Sequence, residues 1–306
     1  MKSRGQSVDQ GSLFGRVGPA VVDPHSFGGH WTQAKLAALE AYLSVYTTAL
    51  KSKFKLHYFD GFAGTGTYAP GGGESQLGSA MLALQTPFTS YTFVDQDPGK
   101  IRRLSIEIDA HRTPGQVCSV IRGDANKEAV KFCCQLDRKD SRAVMFLDPY
   151  GLHVQWETLE RIRQREAVDV WYLFPLSGVV RQMTVLPRKR DQDKDASLDR
   201  VYGTNAWRTE LYVSSASEPL FDEPGEARRV TIDRVREWTT ARLEARFPSV
   251  RLAAQLTRGA RGNRFGGAQL FDLYFLCSNP SSKATALADR LVNGVTEALR
   301  KKRMIA

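Results

Sequence analysis

The chain has 306 residues, 42% hydrophobic and 25% charged, a composition typical of globular proteins and unlike that of disordered chains. Its 43 Lys and Arg residues outnumber 33 Asp and Glu, and the net charge of +10 favours an acidic partner such as nucleic acid. No apolar run approaches the roughly 18 residues of a membrane span, and the N-terminal segment lacks the apolar core of a secretory signal. Four cysteines without a C-x-x-C pair exclude a disulfide scaffold and offer no metal site. We therefore expect a protein of the reducing cytoplasm, with no membrane contact and no bound metal.

Helical and strand patterns alternate along the first half of the chain. Apolar residues recur at helical spacing over 31–50, and this amphipathic helix precedes a buried strand at 55–59. The alternation continues with helices at 78–85, 101–111, 128–136 and 156–165, and with strands at 91–94, 117–121, 143–147 and 168–174. This order predicts a doubly wound α/β fold, in which a parallel sheet carries helices on both faces.

The second half of the chain begins with a change of pattern. Residues 179–227 are polar, rich in breakers and mixed in charge, so we predict an insertion or lid there. The regular pattern then resumes, with a helix at 230–247, strands at 250–257 and 269–278, and a terminal helix at 284–302. Residues 1–28 are rich in Gly, Ser and Pro and are expected to be disordered. The predicted domain therefore covers residues 29–306.

A glycine-rich segment follows the first predicted strand. In FDGFAGTG, the carboxylate of Asp60 precedes Gly61, Gly64 and Gly66, whose missing side chains let a ligand approach the backbone closely. Residues 64–69 also fit the dinucleotide pattern G-x-G-x-x-G/A, but a proline and three glycines follow directly and disfavour the helical turn that this pattern needs. The alternative ligand is S-adenosylmethionine, which has no phosphate and which the acid and the glycines suit.

Acidic residues also follow the second and third strands. Asp95 or Asp97 offers two acceptor oxygens for the hydroxyls of a ribose, and Asp124 offers an acceptor for an adenine amino group. In open α/β sheets, ligands bind beyond the carboxyl ends of the strands, where these side chains are predicted to lie. Asp is also a favoured helix cap, so each acid has a structural alternative. We interpret the set as ligand-binding residues.

The fourth strand ends in FLDPYG. The carboxylate of Asp148, a main-chain carbonyl at Pro149 and the ring of Tyr150 together suit an exocyclic amine on a flat base, with the ring stacking on that base. Phe174 and Pro175 end the neighbouring fifth strand and are candidates to complete an aromatic wall. Plain packing is the alternative for Tyr150.

The segments FDGFAGTG, FVDQDP, RGDAN and FLDPYG resemble, in this order, the motifs of class I S-adenosylmethionine-dependent methyltransferases. With HWTQAKLAALEAYLSVY and VDVWYLFPLSGV, the region from about 29 to 179 resembles more narrowly the three-Cys-motif partner protein family, and LFDLYFLCSNP is similar to its late antiparallel strand. The resemblance implies a Rossmann-like methyltransferase sheet, mostly parallel with a late antiparallel strand. It also implies a protein partner, because the family is named for a neighbouring gene that encodes a three-cysteine protein.

The resemblance also implies roles for individual residues. It places Asp95 on the ribose and Asp124 on the adenine, and it sets around the methionine and adenosine parts of the cofactor Asp60, Gly61, Ala63, Gly64 and Gly66. The segment Asp148, Pro149, Tyr150 occupies the position of the D-P-P-Y catalytic motif of amino-methyltransferases that act on bases. The single proline and the following glycine depart from that motif and are closer to the variant in transfer-RNA guanine-N2 methyltransferases, so the methylated base stays open.

Ten arginines and no lysine lie between residues 228 and 264, against three acidic residues. Guanidinium groups suit phosphate, so Arg258, Arg261 and Arg264 are candidate substrate contacts, with a solvated helix face as the alternative. The resulting hypothesis is a cytoplasmic S-adenosylmethionine-dependent methyltransferase that acts on an exocyclic amine of an RNA or DNA base. Two other hypotheses remain open. One is a catalytically silent, cofactor-binding partner or regulatory protein of a three-cysteine-motif protein, and the other is a methyltransferase for a protein or small molecule.

Overall fold

The computed structural model describes residues 30–69, 73–183, 191–214, 228–258 and 267–305. In chain order, the first half contains α1 (His30–Leu50), β1 (Lys55–Asp60), β2 (Thr67–Tyr68), β3 (Gln76–Leu77), α2 (Ser79–Leu84), β4 (Ser90–Asp95), α3 (Pro98–His111), β5 (Val117–Arg122), α4 (Ala125–Gln135), β6 (Ser141–Leu147), α5 (Trp156–Arg165) and β7 (Val168–Phe174). The second half contains α6 (Leu176–Gln182), α7 (Gln192–Tyr202), α8 (Trp207–Glu210), β8 (Val213–Ser214), β9 (Arg228–Arg229), α9 (Ile232–Glu244), β10 (Ser249–Thr257), β11 (Gln269–Cys277) and α10 (Ser282–Lys301). The disorder predicted for residues 1–28 lies outside the described residues.

A seven-stranded sheet forms the centre of the molecule, in the order β10-β11-β7-β6-β1-β4-β5. The strands β5, β4, β1, β6 and β7 are parallel to their neighbours, and β11 runs antiparallel to both β7 and β10. Numbered along the chain, the sheet reads 3-2-1-4-5-7-6, a doubly wound order with one antiparallel strand inserted late. The predicted doubly wound, Rossmann-like sheet, mostly parallel with a late antiparallel strand, is confirmed.

The centre of the sheet is the point where the strand order reverses. Strand β1 pairs with β4 on one side and β6 on the other, and Asp60 is in register with Phe93 and with Phe146. The carboxyl ends of these parallel strands therefore reach the same edge of the sheet, next to the switch point. Two of the helices that follow begin with an Asp cap, Asp97 for α3 and Asp124 for α4. This geometry brings the loops after β1, β4, β5 and β6 together.

Helices cover both faces of the sheet. On one face, α1 and α10 pack on a core that includes Tyr42, Val144 and Val292. On the other face, α4, α5 and α9 pack on a core that includes Leu159 and Val235. Side chains of successive strand residues alternate between these cores, because a strand turns every second side chain to the same face. Among the described residues, no helix combines the length and apolar character that a membrane span requires.

The predicted insertion at 179–227 is helical in its described part. Asp191 caps α7 by accepting hydrogen bonds from the amide groups of Asp193 and Lys194, and a left-handed Gly203 ends the helix. On the inner side, Leu198 and Trp207 are buried in the same core as α5 and α9. Residues 184–190 and 215–227 lie outside the described residues. The described helices of this segment thus extend the second core of the domain.

Candidate functional site

The glycine-rich turn after β1 is fixed to both neighbouring strands. The amide of Gly61 donates to the carbonyl of Phe146 at 3.0 Å, and the amide of Ala63 donates to the carbonyl of Val94 at 2.9 Å. Gly64 has a φ of 63° and Gly66 a φ of 84°, a region that side chains with a Cβ disfavour. The turn therefore needs these glycines in order to pass over the end of the sheet.

The chain does not enter a helix at this turn. After Gly66 it forms β2, which pairs with β3, and α2 begins only at Ser79, where Gly78 donates to the carbonyl of Gly66 at 2.7 Å. A dinucleotide site needs a helix N-terminus inside the glycine pattern. The glycine turn is consequently not built as a pyrophosphate site, in agreement with the expectation from the residues that follow it.

One cleft of about 190 Å³ lies beyond the carboxyl ends of the strands. Four residues singled out from the sequence, each after a different strand, line this cleft: Gly61, Asp95, Asp124 and Tyr150. Asp97, Lys100, Asn126 and His153 are also among its lining residues. Residues distant in the sequence therefore share one surface, as the parallel sheet requires.

The three acids after β4 and β5 differ in their local roles. Asp95 is 7% exposed, and its carboxylate accepts from the amide of Gly64 at 3.1 Å and from the amide of Asp97 at 2.9 Å. Asp97 accepts from two amides of α3, and these hydrogen bonds lower the pKa of its carboxyl group. Asp124 caps α4 and also accepts from Gln96 Nε2 at 3.0 Å. Capping therefore applies to Asp97 and Asp124, whereas Asp95 connects the glycine turn to the cleft.

The FLDPYG segment divides between a charged pair and an exposed ring. Asp148 forms an ion pair with Lys35 of α1, and both side chains are largely buried. Pro149 is buried, whereas Tyr150 is 57% exposed. The ammonium group of Lys100 lies 4.0 Å from the centre of the Tyr150 ring and 3.7 Å from Asp95 Oδ2. Asp148 and Tyr150 thus contact different lysines on different helices.

Asp60 lies beneath the site and is fully buried. Its carboxylate accepts from the amide of Phe62 at 3.1 Å, and the hydroxyl of Tyr58 lies 3.4 Å away. Burial raises the pKa of this carboxyl group to about 7, and the charge of Asp148 adds to the rise, although hydrogen bonds to Ser79 and to Phe62 act in the opposite direction. The carboxyl group of Asp60 therefore changes its protonation state near neutral pH.

Several residues of the site carried no sequence signal. Asn126 donates to the carbonyl of His153 at 2.9 Å and accepts from the amide of Gln155 at 2.9 Å, so it holds the loop after β6 against α4. Lys35 and Lys100 come from helices, and their contacts depend on the packing of α1 and α3.

Five further residues predicted to contact the substrate are not found in the cleft lining in the described part of the chain. Phe174 is 1% exposed and its ring packs near that of Tyr202, while Pro175 precedes the first residue of α6. Neither residue lines the cleft described above. Arg258 is exposed, and Arg261 and Arg264 lie outside the described residues. Contact of these five residues with a substrate remains a prediction.

Most described arginines of the basic segment bind other parts of the protein. Arg236 is 8% exposed and pairs with Asp272 at 2.9 Å, and Arg251 pairs with Asp289 at 2.8 Å. Arg246 forms two contacts with Glu160, at 2.5 and 2.9 Å. Arg242 donates to the carbonyl of Tyr202 and lies over the rings of two tryptophans, Trp156 and Trp238. These guanidinium groups stabilise the fold around α9.

The fold and the cleft define a doubly wound α/β protein with a cleft at the carboxyl ends of its parallel strands. Within the described ranges, no group of three His, Cys, Asp or Glu side chains is placed to hold a metal ion. No protein-family model matches the sequence, and no curated protein matches it.

Among solved structures, the chain is similar to protein LPL1258 of family DUF519 from Legionella pneumophila str. Philadelphia 1, with 11% identity over 88% of this chain and 92% of that one and a TM-score of 0.45. It is similar to Trm1 from Pyrococcus horikoshii, solved with S-adenosyl-L-methionine, with 9% identity over 85% of this chain, 59% of that chain and a TM-score of 0.44. It is also similar to the N-terminal domain of EvdMO1 with S-adenosylhomocysteine (SAH) bound, with 12% identity over 79% and 80% of the two chains and a TM-score of 0.37. All three TM-scores are below 0.5, so the fold class rests on the strand order.

Proposed function

We propose that this protein is an S-adenosylmethionine-dependent methyltransferase that acts on an exocyclic amine of a nucleic-acid base. One observation carries the proposal. Gly61, Asp95, Asp124 and Tyr150 follow four different strands and line the same cleft. Of these four residues, only Asp124 is also accounted for by a role as a helix cap. A cleft shared by residues from several strand ends is the arrangement that a nucleoside-containing ligand needs at a switch point.

The residues present fit this cofactor. Asp95 has two carboxylate oxygens beside the cleft, and each accepts one backbone hydrogen bond, which leaves acceptor capacity for ribose hydroxyls. Asp124 accepts a hydrogen bond from the side chain of Gln96, the residue after Asp95, and is the candidate to bind the adenine amino group. Among the described residues, no atom lies within 4 Å of the position that a Cβ on Gly64 would take. The turn therefore leaves space for a ligand, with Gly61, Ala63 and Gly66 completing its backbone.

The residues after β6 are assigned to the methyl acceptor. Lys35 binds Oδ2 of Asp148, so the other carboxylate oxygen, Oδ1, is the acceptor for an amine N–H. The carbonyl near Pro149 orients the same nitrogen, and the exposed ring of Tyr150 stacks on the base. When bound, the cofactor supplies a methyl group on an electrophilic sulfonium. Positioning of the amine by these residues is then the main contribution of the protein to the rate.

Cofactor binding tests the first half of the proposal. By titration calorimetry, we expect the wild-type protein to bind S-adenosylmethionine and SAH, and Asp95→Ala to weaken both because the ribose acceptor is lost. Asp109→Ala is the matched control, since Asp109 lies on the exposed side of the neighbouring helix α3, where it pairs with Arg112. Absence of binding to the wild-type protein at millimolar ligand rejects the proposed cofactor.

Methyl transfer tests the second half. We expect labelled methyl groups to pass to an RNA or DNA pool, and Asp148→Asn to reduce transfer by about a hundredfold with little change in cofactor affinity, as for other positioned polar groups. If protein or small molecules in a lysate are labelled and nucleic acid is not, the result rejects a nucleic-acid substrate. It then favours the alternative of a methyltransferase for a protein or small molecule.

A second candidate function is a cofactor-binding partner protein without turnover, as the resemblance to the three-Cys-motif partner family implies. One observation favours it: the carboxylate of Asp148 is already neutralised by Lys35, and both are largely buried. This function predicts cofactor binding without methyl transfer to any fraction of a lysate. Co-purification of a three-cysteine-motif protein with the intact chain then identifies the partner.

A further inference from the structure

Lys100 lies between the two halves of the cleft. Its ammonium group is 3.7 Å from Oδ2 of Asp95 and 4.0 Å from the ring centre of Tyr150, and its side chain is 30% exposed. Asp95 belongs to the side assigned to the cofactor and Tyr150 to the side assigned to the methyl acceptor. No other lysine lines this cleft among the described residues.

The position of Lys100 on its helix is unfavourable by itself. It is the third residue of α3, where its own amide donates to the cap Asp97 and where the helix dipole repels a cation. Partial burial acts to lower the pKa of Lys100, but its contacts with Tyr150, Asp95 and Asp97 raise this pKa above its ordinary value. The contacts inside the cleft therefore hold the ammonium group in place.

The chain contains a matched lysine without these contacts. Lys127 is the third residue of α4, and its amide donates to the cap Asp124 at 3.0 Å. The two lysines thus have the same place in two equivalent helices. The side chain of Lys127 is exposed and is not part of the cleft lining. Helix position alone consequently does not direct a lysine into the cleft.

We propose that Lys100 is a positioning residue that couples occupation of the Asp95 carboxylate to the placement of the Tyr150 ring. This inference rests on the proposed function. A ribose hydroxyl that donates to Oδ2 of Asp95 has to approach the oxygen that the ammonium group faces at 3.7 Å, so we expect a bound cofactor to move Lys100 away from Asp95. Because the Tyr150 ring lies against the same ammonium group, its placement changes at the same step. Binding of the cofactor at Asp95 thereby determines the position of the Tyr150 ring on the methyl-acceptor side of the cleft.

The coupling predicts that loss of either Lys100 contact makes cofactor binding tighter. Lys100→Met removes the competitor for Asp95, and Tyr150→Leu removes the ring that keeps this competitor in place. An ion pair at 3.7 Å and a cation–ring contact at 4.0 Å are each weak, so we expect the dissociation constant for SAH to fall about three- to tenfold in Lys100→Met. The double variant should bind no more tightly than Lys100→Met, because both changes act on one interaction.

Titration calorimetry with SAH tests these expectations on the full chain. Lys100→Arg keeps a cation and should restore the wild-type affinity within about twofold, and Lys127→Met, the matched control, should leave it unchanged. Thermal unfolding checks that each variant is folded.

Additive effects in the double variant, unchanged or weaker binding by Lys100→Met, or an equal effect of Lys127→Met each overturn the coupling while the proposed function stands. Absence of SAH binding to the wild-type protein rejects the proposed function, and the coupling with it.

Discussion

Three ionisable side chains interact near the end of the first strand: Lys35, Asp60 and Asp148. Lys35 forms an ion pair with Asp148, and the charge of Asp148 raises the pKa of Asp60. The ammonium group of Lys35 thus pairs with one of the two carboxyl groups, and the other, Asp60, is fully buried. The folded protein therefore favours the protonated form of Asp60, and this gives a measurable pH dependence of stability.

The pH dependence of stability tests the state of Asp60. Burial raises the pKa of Asp60 to about 7 in the folded protein, against about 4 in the unfolded chain. The folded state therefore binds the proton more tightly, and the stabilisation is complete below about pH 4 and is lost as the pH rises to about 7. At roughly 1.4 kcal/mol per pH unit, the loss is about 4 kcal/mol.

Urea unfolding between pH 4 and 8 measures this effect as the difference between the wild-type protein and Asp60→Asn. The difference isolates Asp60 from Asp169, another buried carboxyl group, whose pKa burial raises to about 6. A difference in unfolding free energy that does not change with pH contradicts the prediction.

The ion pair of Lys35 gives a second prediction at the residue scale. Lys35→Met leaves the partly buried carboxylate of Asp148 without its cation, and we expect a loss of about 1–3 kcal/mol in the free energy of unfolding. Adding Asp148→Asn should recover part of this loss, because the unpaired charge is then removed.

Lys131→Met is the control, since Lys131 forms a solvent-exposed pair with Glu128 at 3.6 Å and its loss should cost less than about 1 kcal/mol. Urea unfolding of the wild-type protein and these three variants at pH 8 checks this. Equal losses for Lys35→Met and Lys131→Met count against the prediction.

At the scale of elements, helix α7 depends on one glycine. Gly203 ends the helix with a φ of 63°, and a Cβ added to it would lie 2.4 Å from Cδ1 of Trp156 on α5. The ring of Trp156 also contacts Arg242 of α9. The close approach of the chain to this ring therefore fixes α7 against the second core.

We expect Gly203→Ala to destabilise the protein by about 2–4 kcal/mol, because the left-handed conformation and the overlap with Trp156 both disfavour a side chain. Gly115→Ala is the control: it has a φ of 91°, but no described atom lies within 4 Å of its added Cβ. It should cost only the conformational part, about 1 kcal/mol. Thermal unfolding of both variants decides, and equal shifts in melting temperature contradict the packing argument.

The main elements were predictable from local pattern because their apolar periodicity is strong. The predicted helix at 31–50 corresponds to α1, and the predicted strand at 269–278 corresponds to β11. The segment at 179–227 was predicted as an insertion or lid with no helix assigned to it, and its described part holds α7 and α8. Its burial depends on contacts of Leu198 and Trp207 with distant helices, and a local pattern contains no information on such contacts.

At the scale of the whole molecule, the positive charge is not distributed as a free arginine surface. Arg236, Arg246 and Arg251 pair with acids of the same chain, which the sequence pattern alone did not indicate. In the described part of the basic segment, Arg258 is exposed and forms no ion pair. We therefore expect any binding of nucleic acid by this segment to depend on Arg258, Arg261 and Arg264.

Salt dependence tests this prediction. We expect affinity for total RNA to fall steeply with salt, and replacement of Arg258, Arg261 and Arg264 by Gln to lower the slope of log affinity against log salt by up to about three, since each phosphate contact contributes roughly one. Arg246→Gln is the matched control, because Arg246 is bound to Glu160. Filter binding across a salt series gives the slopes. An unchanged slope in the triple variant contradicts contact of these arginines with phosphate and favours the alternative that they are only solvated.

The strand-end residues of the site were predictable and its helix-borne lysines were not. Gly61, Asp95 and Asp124 follow predicted strands, so the rule for parallel sheets is enough to bring them together. Lys35 and Lys100 reach the site from helices, and their direction depends on helix rotation and packing. The partners of Asp148 and Tyr150 therefore became visible only in the folded chain.

The place of β11 in the sheet has a consequence for biosynthesis. This strand lies between β7 and β10, although it is later in the chain than both. While the ribosome makes the intervening residues, the strand VDVWYLF of β7 has one bare edge, rich in β-branched and aromatic side chains. Such an edge is an aggregation hazard until it is paired. A chain that stops before Gln269 is therefore expected to precipitate or to require a chaperone. The exposed edge of β7 is paired, and this aggregation hazard removed, only after β11 has been synthesised.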